Sequence, residues 1–316
     1  MSASNRNFGF DSTTDEVIAG IDLAGRTAVV TGASGGLGVE TARALAAAGA
    51  RVMIGCRDVT RGEAAAEEIR SSTGNGAVRV AALDLVDDDS VRAFAEQVRS
   101  VYDELNILIN NAGVMACPLT RTERGWELQF ATNHVGHFLL TRSLLPLLEA
   151  GAPSRVVCLS SAGHTRGAVD FADLHYDSRP YDKWEAYGQS KTANALFAVA
   201  LDARHGSAGI RAFAVHPGAI ITDLGRHLLE ADIVEIGANI EARAGGFKQV
   251  PAGAATSVWA ATAPELEGKG GLYLEDCSIS APAGTPGVTT GYLDYALDPE
   301  LAERLWVATE RLLDGD

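Results

Sequence analysis

Residues 27–38 read TAVVTGASGGLG, a short apolar run that breaks into a glycine-rich turn. Residues 39–49, VETARALAAAG, carry on as a stretch of strong helix formers. A strand, a turn and a helix in that order make the first half of a βαβ unit. Gly32, Gly35, Gly36 and Gly38 permit a tight turn and close approach of backbone to a ligand. The helix behind them, predicted over 36–48, presents free N–H groups and a positive dipole end, which suit a pyrophosphate. The spacing differs by one residue from G-x-G-x-x-G, and the flanking strand and helix give the turn its meaning.

The same alternation continues outward. Further apolar runs at 51–56, 78–83, 105–110, 155–160, 211–216 and 271–274 read as doubly covered strands. Helices are predicted at 59–71, 88–102, 124–149, 182–205, 252–262 and 299–313, the second of them capped by the acidic run Asp87 to Asp89 with Ser90. The expected fold is α/β: a doubly wound parallel seven-stranded sheet (Rossmann fold) in a single domain of residues 22–316. Residues 1–21 form an N-terminal arm whose Thr13 and Glu16 have capping-box spacing. Clean periodicity lapses at 219–250, which is read as a substrate lid, with a loosely packed helical excursion as the alternative.

Composition narrows the function. A formal charge of −15 over 316 residues repels phosphate backbones and anionic lipid, which argues against nucleic-acid and membrane partners. A phosphorylated cofactor then needs a local positive pocket. Cys56, Cys117, Cys158 and Cys277 form no CxxC pair, so neither zinc nor a disulfide framework is indicated, and a reducing cytoplasmic location is expected. Residues 1–20 contain no signal-peptide run, and the most apolar helix, at 135–150, is interrupted by His137, Thr141 and Arg142. His134 and His137 lie i,i+3 on it without a third ligand, so no metal is expected.

Two features carry chemistry. The second strand ends Ile54, Gly55, Cys56, Arg57, with no carboxylate where an NAD site holds the ribose hydroxyls. Arg57 can instead pair with a 2′-phosphate, which favours NADP over NAD; in the alternative, Arg57 is a solvated loop residue and Asp58 contacts the ribose. The second feature is YGQSK, which sets Tyr187 and Lys191 four apart on one helix face. Taken singly, that pair is an aromatic beside a solvated amine. It gains meaning because the fifth strand runs into Ser160 and Ser161 at the sheet edge where open α/β folds bind ligands. Reducing a carbonyl by hydride leaves an alkoxide that needs a proton, and a phenol of pKa near 10, beside an ammonium that favours the phenolate, is an acid/base for it.

The TGxxxGxG turn, the NNAG turn at 110–113, the paired serines and the Tyr/Lys spacing together resemble the short-chain dehydrogenase/reductase superfamily over about residues 22–313. GAATSVWAAT, GGLYLEDC and DPELAERLW resemble its retinol-dehydrogenase and WW-domain-oxidoreductase-like branch. The resemblance implies a nicotinamide cofactor held by Gly32, Ser34, Gly35, Gly36, Leu37 and Gly38, with Asp84 on adenine and Leu85 beside it. Asn111, Ala112 and Gly113 would line the cofactor or stabilise the sheet. It assigns Tyr187 as acid/base, Lys191 to the nicotinamide ribose, Ser161 to the substrate oxygen and Ser160 to structure. Asn133, in TNHVGHF, would complete a tetrad and hold a water that relays protons. Pro217, Gly218 and Thr222 match the turn and threonine that support the carboxamide. A small carbonyl or alcohol substrate is implied, as is a homodimer or homotetramer paired through helices 124–149 and 182–205.

The arm lacks the membrane anchor of many retinol dehydrogenases, so retinoid or sterol specificity is not carried over. His164, His175, Tyr176, Tyr181 and Trp184 form either a wall of the substrate pocket or surface-loop packing. Two other functions stay open: reduction of a carbon–carbon double bond, as in protochlorophyllide reductases, and a catalytically idle cofactor-binding regulator.

Overall fold

A computed structural model describes residues 7–241, 246–283 and 290–315. Strands β1 (Thr27–Thr31), β2 (Arg51–Cys56), β3 (Val78–Ala82), β4 (Ile107–Asn110), β5 (Ser154–Leu159), β6 (Ile210–His216) and β7 (Leu272–Glu275) are joined by β8 (Ser278–Ile279). They form one sheet in the order β3-β2-β1-β4-β5-β6-β7-β8, parallel except for the final pair. The order reverses beside β1, whose Val29 lies between Met53 of β2 and Leu108 of β4. Such a reversal opens a crevice at the carboxyl edge of the sheet, where the turns after β1 and β4 diverge.

The eighth strand corrects the expected seven. It returns through a tight turn in which Asp276 and Cys277 both have positive φ, 48° and 52°. Hairpins of that hand usually announce themselves with Asn-Gly or Gly-Gly. Here the chain uses Asp and Cys, so the turn left no glycine signal.

Helices cover both faces. Against one lie α1 (Thr14–Ile18), α2 (Gly36–Ala47), α3 (Val59–Thr73) and α9 (Val250–Thr262), burying Val17, Leu45, Ile69, Val258 and Trp259. Against the other lie α4 (Asp88–Val101), α6 (Gly136–Ala150), α7 (Lys183–His205) and α10 (Pro299–Asp314), around Phe94, Phe138, Phe197 and Trp306. The arm is therefore not detached: its capping box at Thr13 and Glu16 forms, and Val17 and Ile18 enter the core. The α10 helix packs on α6 and α7. Trp306 packs edge-on against Phe138 at 4.8 Å and against Phe197 at 5.9 Å.

The helix expected from 124 starts later. Gly125 turns with φ +78°, and the buried Glu127 carboxylate accepts from Gln129 N and Phe130 N, capping a single turn, α5 (Leu128–Phe130). A π-helical turn, Ala131–Val135, then leads into α6. Residues 219–250 form a 3₁₀ turn (Asp223–His227) and α8 (Glu230–Glu241), a helical excursion from the sheet; 242–245 lie outside the described residues. Among the described residues no helix is long and apolar enough to cross a membrane.

Candidate active site

The glycine turn is packed too closely for side chains at two of its positions. Gly32, at φ +68°, touches the residue after the NNAG asparagines so closely that a Cβ would stand 2.8 Å from Ala112 Cα. A Cβ on Gly38 would stand 2.6 Å from Gly32 O. The α2 N-terminus that follows has no side-chain cap, which leaves its first N–H groups open to a ligand. Ser34 and Leu37 are half-buried beside it, and the Leu37 side chain packs towards Gly253.

Asn111 is occupied in joining strands: its Nδ2 donates to Thr31 O at 2.8 Å, and Thr31 Oγ1 accepts from Asn111 N and Ala112 N. These bonds tie β4 to β1 at the switch point. Asp84 is half-buried, with one oxygen accepting from Val86 N, while the Leu85 side chain lies in the core below Gly136.

Arg57 is exposed, and among the described residues no side chain pairs with it. Asp58 caps α3, with its Oδ1 accepting from Arg61 N. Sequence reading missed Arg61. It lies one helical turn after Arg57, its guanidinium covers Gly35, and it pairs with Asp223 of the excursion at 2.5 Å. The i,i+4 spacing of the two arginines was the available signal. Thr222 faces Gly36, with its Cγ2 3.4 Å from where a Cβ would be. Pro217 and Gly218 are half-buried at the start of the excursion, and the Gly218 turn, at φ +95°, is packed under the Lys248 stem.

At the other end of the crevice, β5 delivers Ser160 and Ser161 and α7 delivers Tyr187 and Lys191. Ser160 Oγ donates to Lys191 O, a structural bond that ties strand to helix. Ser161 Oγ accepts from Gly163 N at 3.0 Å and lies near enough to the Tyr187 phenol to favour its ionised form. Gly163 admits the tyrosine ring, since a Cβ there would meet Tyr187 Cε1 at 2.7 Å. Lys191 Nζ donates to Leu159 O at 2.9 Å and stands 5.7 Å from the Tyr187 ring centre. Asn133 and Lys191 converge on Gly113, where a Cβ would lie 3.2 Å from Asn133 Oδ1 and 3.7 Å from Lys191 Nζ. The Asn133 side chain is otherwise engaged, accepting from Val114 N and donating to Val114 O and Ser190 Oγ.

Burial sets the charge states. It pushes the Tyr187 phenol up to about 12, opposed by the Ser161 hydroxyl, and pushes the Lys191 ammonium down to about 8. The ammonium was expected to make the phenol acidic. In this geometry desolvation of the buried ring dominates, and the tyrosine holds its proton.

The aromatic segment before α7 packs mostly inward. His175 stacks with Trp126, Tyr181 donates to Cys117 O, and Tyr176 is buried under Arg179. His164 is buried against Ser161 O. Trp184 is half-buried and donates to Asp232 of α8. His134 and His137 bond Thr309 and Thr31 respectively, and burial lowers the pKa of both, so each is a neutral core histidine.

Comparison with known proteins agrees with this arrangement. The short chain dehydrogenase family model matches residues 26–232. Mouse retinol dehydrogenase 12 is 43% identical over 293 residues, covering 93% of this chain and 88% of that protein. The short-chain dehydrogenase/reductase prx1 of Penicillium rubens is 40% identical over 291 residues, covering 90% and 84%. A crystal structure of a protein from Mycobacterium paratuberculosis superposes with a TM-score of 0.73 at 36% identity, covering 96% of this chain and 98% of that one. Pseudomonas aeruginosa RhlG, solved as an NADP active-site complex, superposes with a TM-score of 0.64 at 27% identity, covering 80% and 95%. With a glycine cradle at the switch point and a serine, tyrosine and lysine at the same sheet edge, this chain belongs to the short-chain dehydrogenase family, in its retinol-dehydrogenase-like branch.

Proposed function

We propose that the chain is an NADP(H)-dependent oxidoreductase that interconverts a carbonyl and an alcohol, with Tyr187 as the proton donor. One observation carries this reading: Tyr187, beside Ser161 and Lys191, stands at the same carboxyl edge of the sheet as the uncapped α2 N-terminus. A bound nicotinamide cofactor would supply the hydride at the carbonyl carbon.

The chain's own residues do the rest. The α2 N–H groups and the turn at Gly32, Ser34, Gly35, Gly36 and Gly38 would hold the diphosphate. Arg57 would pair with the 2′-phosphate, and its exposure, with no side chain pairing with it among the described residues, supports NADP over NAD. Asp84 would reach adenine with its second oxygen, and Pro217, Gly218 and Thr222 would support the carboxamide. Ser161 has its Oγ lone pair occupied by Gly163 N, so its hydrogen can be donated to the substrate oxygen. Tyr187, neutral through burial, gives its proton to the developing alkoxide, an arrangement suited to carbonyl reduction. Lys191 would hold the nicotinamide ribose and restore the proton. Asn133 would hold the relaying water through its backbone, because its side chain is bonded to Val114 and Ser190.

The excursion at 219–250 is proposed as the substrate lid: it begins over the glycine turn at Thr222, and Asp232 fixes α8 to Lys183 and Trp184 at the start of the tyrosine helix. Four buried, unpaired thiols suit a reducing compartment such as the cytoplasm. Assembly as a homodimer or homotetramer is part of the same reading, and light scattering decides it. The activity is tested with a panel of ketones, aldehydes and alcohols, each with NADPH or NADH (or their oxidised forms), followed by nicotinamide absorbance. Turnover of a carbonyl with NADPH preference supports the reading; turnover confined to conjugated carbon–carbon double bonds refutes it.

A further inference from the structure

We propose that His164 is a positioning residue for the hydroxyl of Ser161, and that its two ring nitrogens separate that task from the anchoring of the C-terminal segment around Leu293. The inference rests on the role of Ser161 set out under Proposed function and extends it to a residue two positions beyond the serine turn.

Ser161 is fixed through the peptide group that follows it. Its carbonyl accepts from both the His164 backbone N–H, at 3.0 Å, and His164 Nδ1, at 2.7 Å. The N–H of the same peptide group, that of Ala162, donates to His216 Nδ1 at 3.2 Å, and His216 Nδ1 also accepts from Gly218 N at 3.4 Å. Two imidazoles thus clamp one peptide plane from its two ends. With that plane fixed and the backbone extended at φ −167°, ψ 155°, the Gly163 N–H sets the direction of Oγ.

The tautomer of His164 follows from its other side. Leu293 N donates to His164 Nε2 at 3.2 Å, so Nε2 bears the lone pair and the proton of the neutral ring sits on Nδ1, aimed at Ser161 O. The ring is fully buried between Tyr273 and the serine turn, and burial disfavours its ionised form. Tyr295 adds a bond from its hydroxyl to His164 O at 2.7 Å. An apolar side chain of similar size would fill the space. It could not donate to Ser161 and accept from Leu293 together.

The test exploits this division. His164→Asn keeps a polar group near Nδ1 and loses the acceptor for Leu293; His164→Gln reaches towards the Nε2 position and loses the donor to Ser161. Turnover of the best carbonyl substrate, thermal melting and NADPH binding by fluorescence are measured for each. The expected result is a split: Asn keeps kcat within about threefold but melts earlier, while Gln loses roughly 10- to 100-fold in kcat, the cost of misplacing a reacting group. NADPH binding changes little in either. Loss of kcat and melting temperature in step across both variants, or equal kcat in the two, overturns the proposal. The second measurement needs no variant and no turnover: ¹⁵N NMR of the imidazoles in the wild-type chain. A His164 protonated on Nδ1 agrees, and one protonated on Nε2 overturns it. Because the tautomer is read without substrate, a chain that turned over no carbonyl would refute the function while leaving this measurement able to judge His164.

Discussion

The two sides of the crevice are built differently. On the proposed catalytic side, Ser161, Tyr187 and Lys191 stand on a strand end and a helix; Tyr187 and Lys191 are buried, and Lys191 is hydrogen-bonded into the sheet edge. On the excursion side, Ile221, Leu229, Ile233 and Val234 are exposed, at 79%, 66%, 58% and 67%, and the segment is held to the body by charge pairs at Asp223 and Asp232. Reacting groups need fixed geometry, so they sit where packing determines it. A surface that must admit and release a substrate can leave apolar side chains uncovered and rely on contacts that open at low cost. The apolar side chains also suggest what such a lid would close upon: a substrate with apolar surface of its own.

Breaking the rigid side is expected to produce the largest effects. Tyr187→Phe removes only the transferable proton, so turnover should fall by about three orders of magnitude, near 4 kcal/mol in barrier. NADPH binding, read by fluorescence, should be retained; near-wild-type turnover would falsify the assignment. Phe138→Ala opens the core beneath α10, where the ring meets Trp306 and Phe197. It should cost about 3–5 kcal/mol in chemical denaturation without a new preference among substrates.

Arg57→Ala tests the proposed 2′-phosphate contact at an exposed residue. NADPH affinity should weaken by about tenfold or more, corresponding to a charge-assisted contact, while NADH affinity stays near wild type. Equal losses for both cofactors count against the 2′-phosphate role.

The pH dependence sharpens the comparison further. In the reductive direction the rate should decline above about pH 8, as Lys191 loses its proton while Tyr187, at about 12, keeps its own. The stability effect has the opposite sign. The folded pKa of Lys191 lies below the unfolded 10.5, so between about 8 and 10.5 the unfolded chain binds more protons, and the burial penalty is relieved as pH rises through that window. Lys191→Arg should move the kinetic limb upward, and an unmoved limb assigns it to another group.

Asp232→Asn should give the smallest effect. It weakens the bonds to Lys183 and Trp184, so hydrogen exchange around 229–234 should accelerate and KM rise severalfold, with kcat changed by less than about twofold. A fall in kcat comparable to that of a catalytic-side variant would mean that the two sides do not divide the work as described.

Much of this molecule was determined by its sequence alone. The apolar strands, the glycine turn, Arg57 without a carboxylate before it, and the i,i+4 pair Tyr187 and Lys191 are local patterns. Their meaning depends on strand period, helix period and backbone freedom at glycine, all of which act within a few residues. Tertiary structure decided what depends on partners far along the chain. Asp and Cys could make the β7–β8 turn only because the growing sheet offered an edge to pair with, and Gly125 with Glu127 moved the start of a helix that periodicity alone extended. Arg61 became part of the nucleotide end when residues 162 positions away folded over it. The charge state of Tyr187 was decided in the same way: an amine one turn along the helix is visible in sequence, whereas the desolvation that outweighs it comes from distant segments closing around the ring.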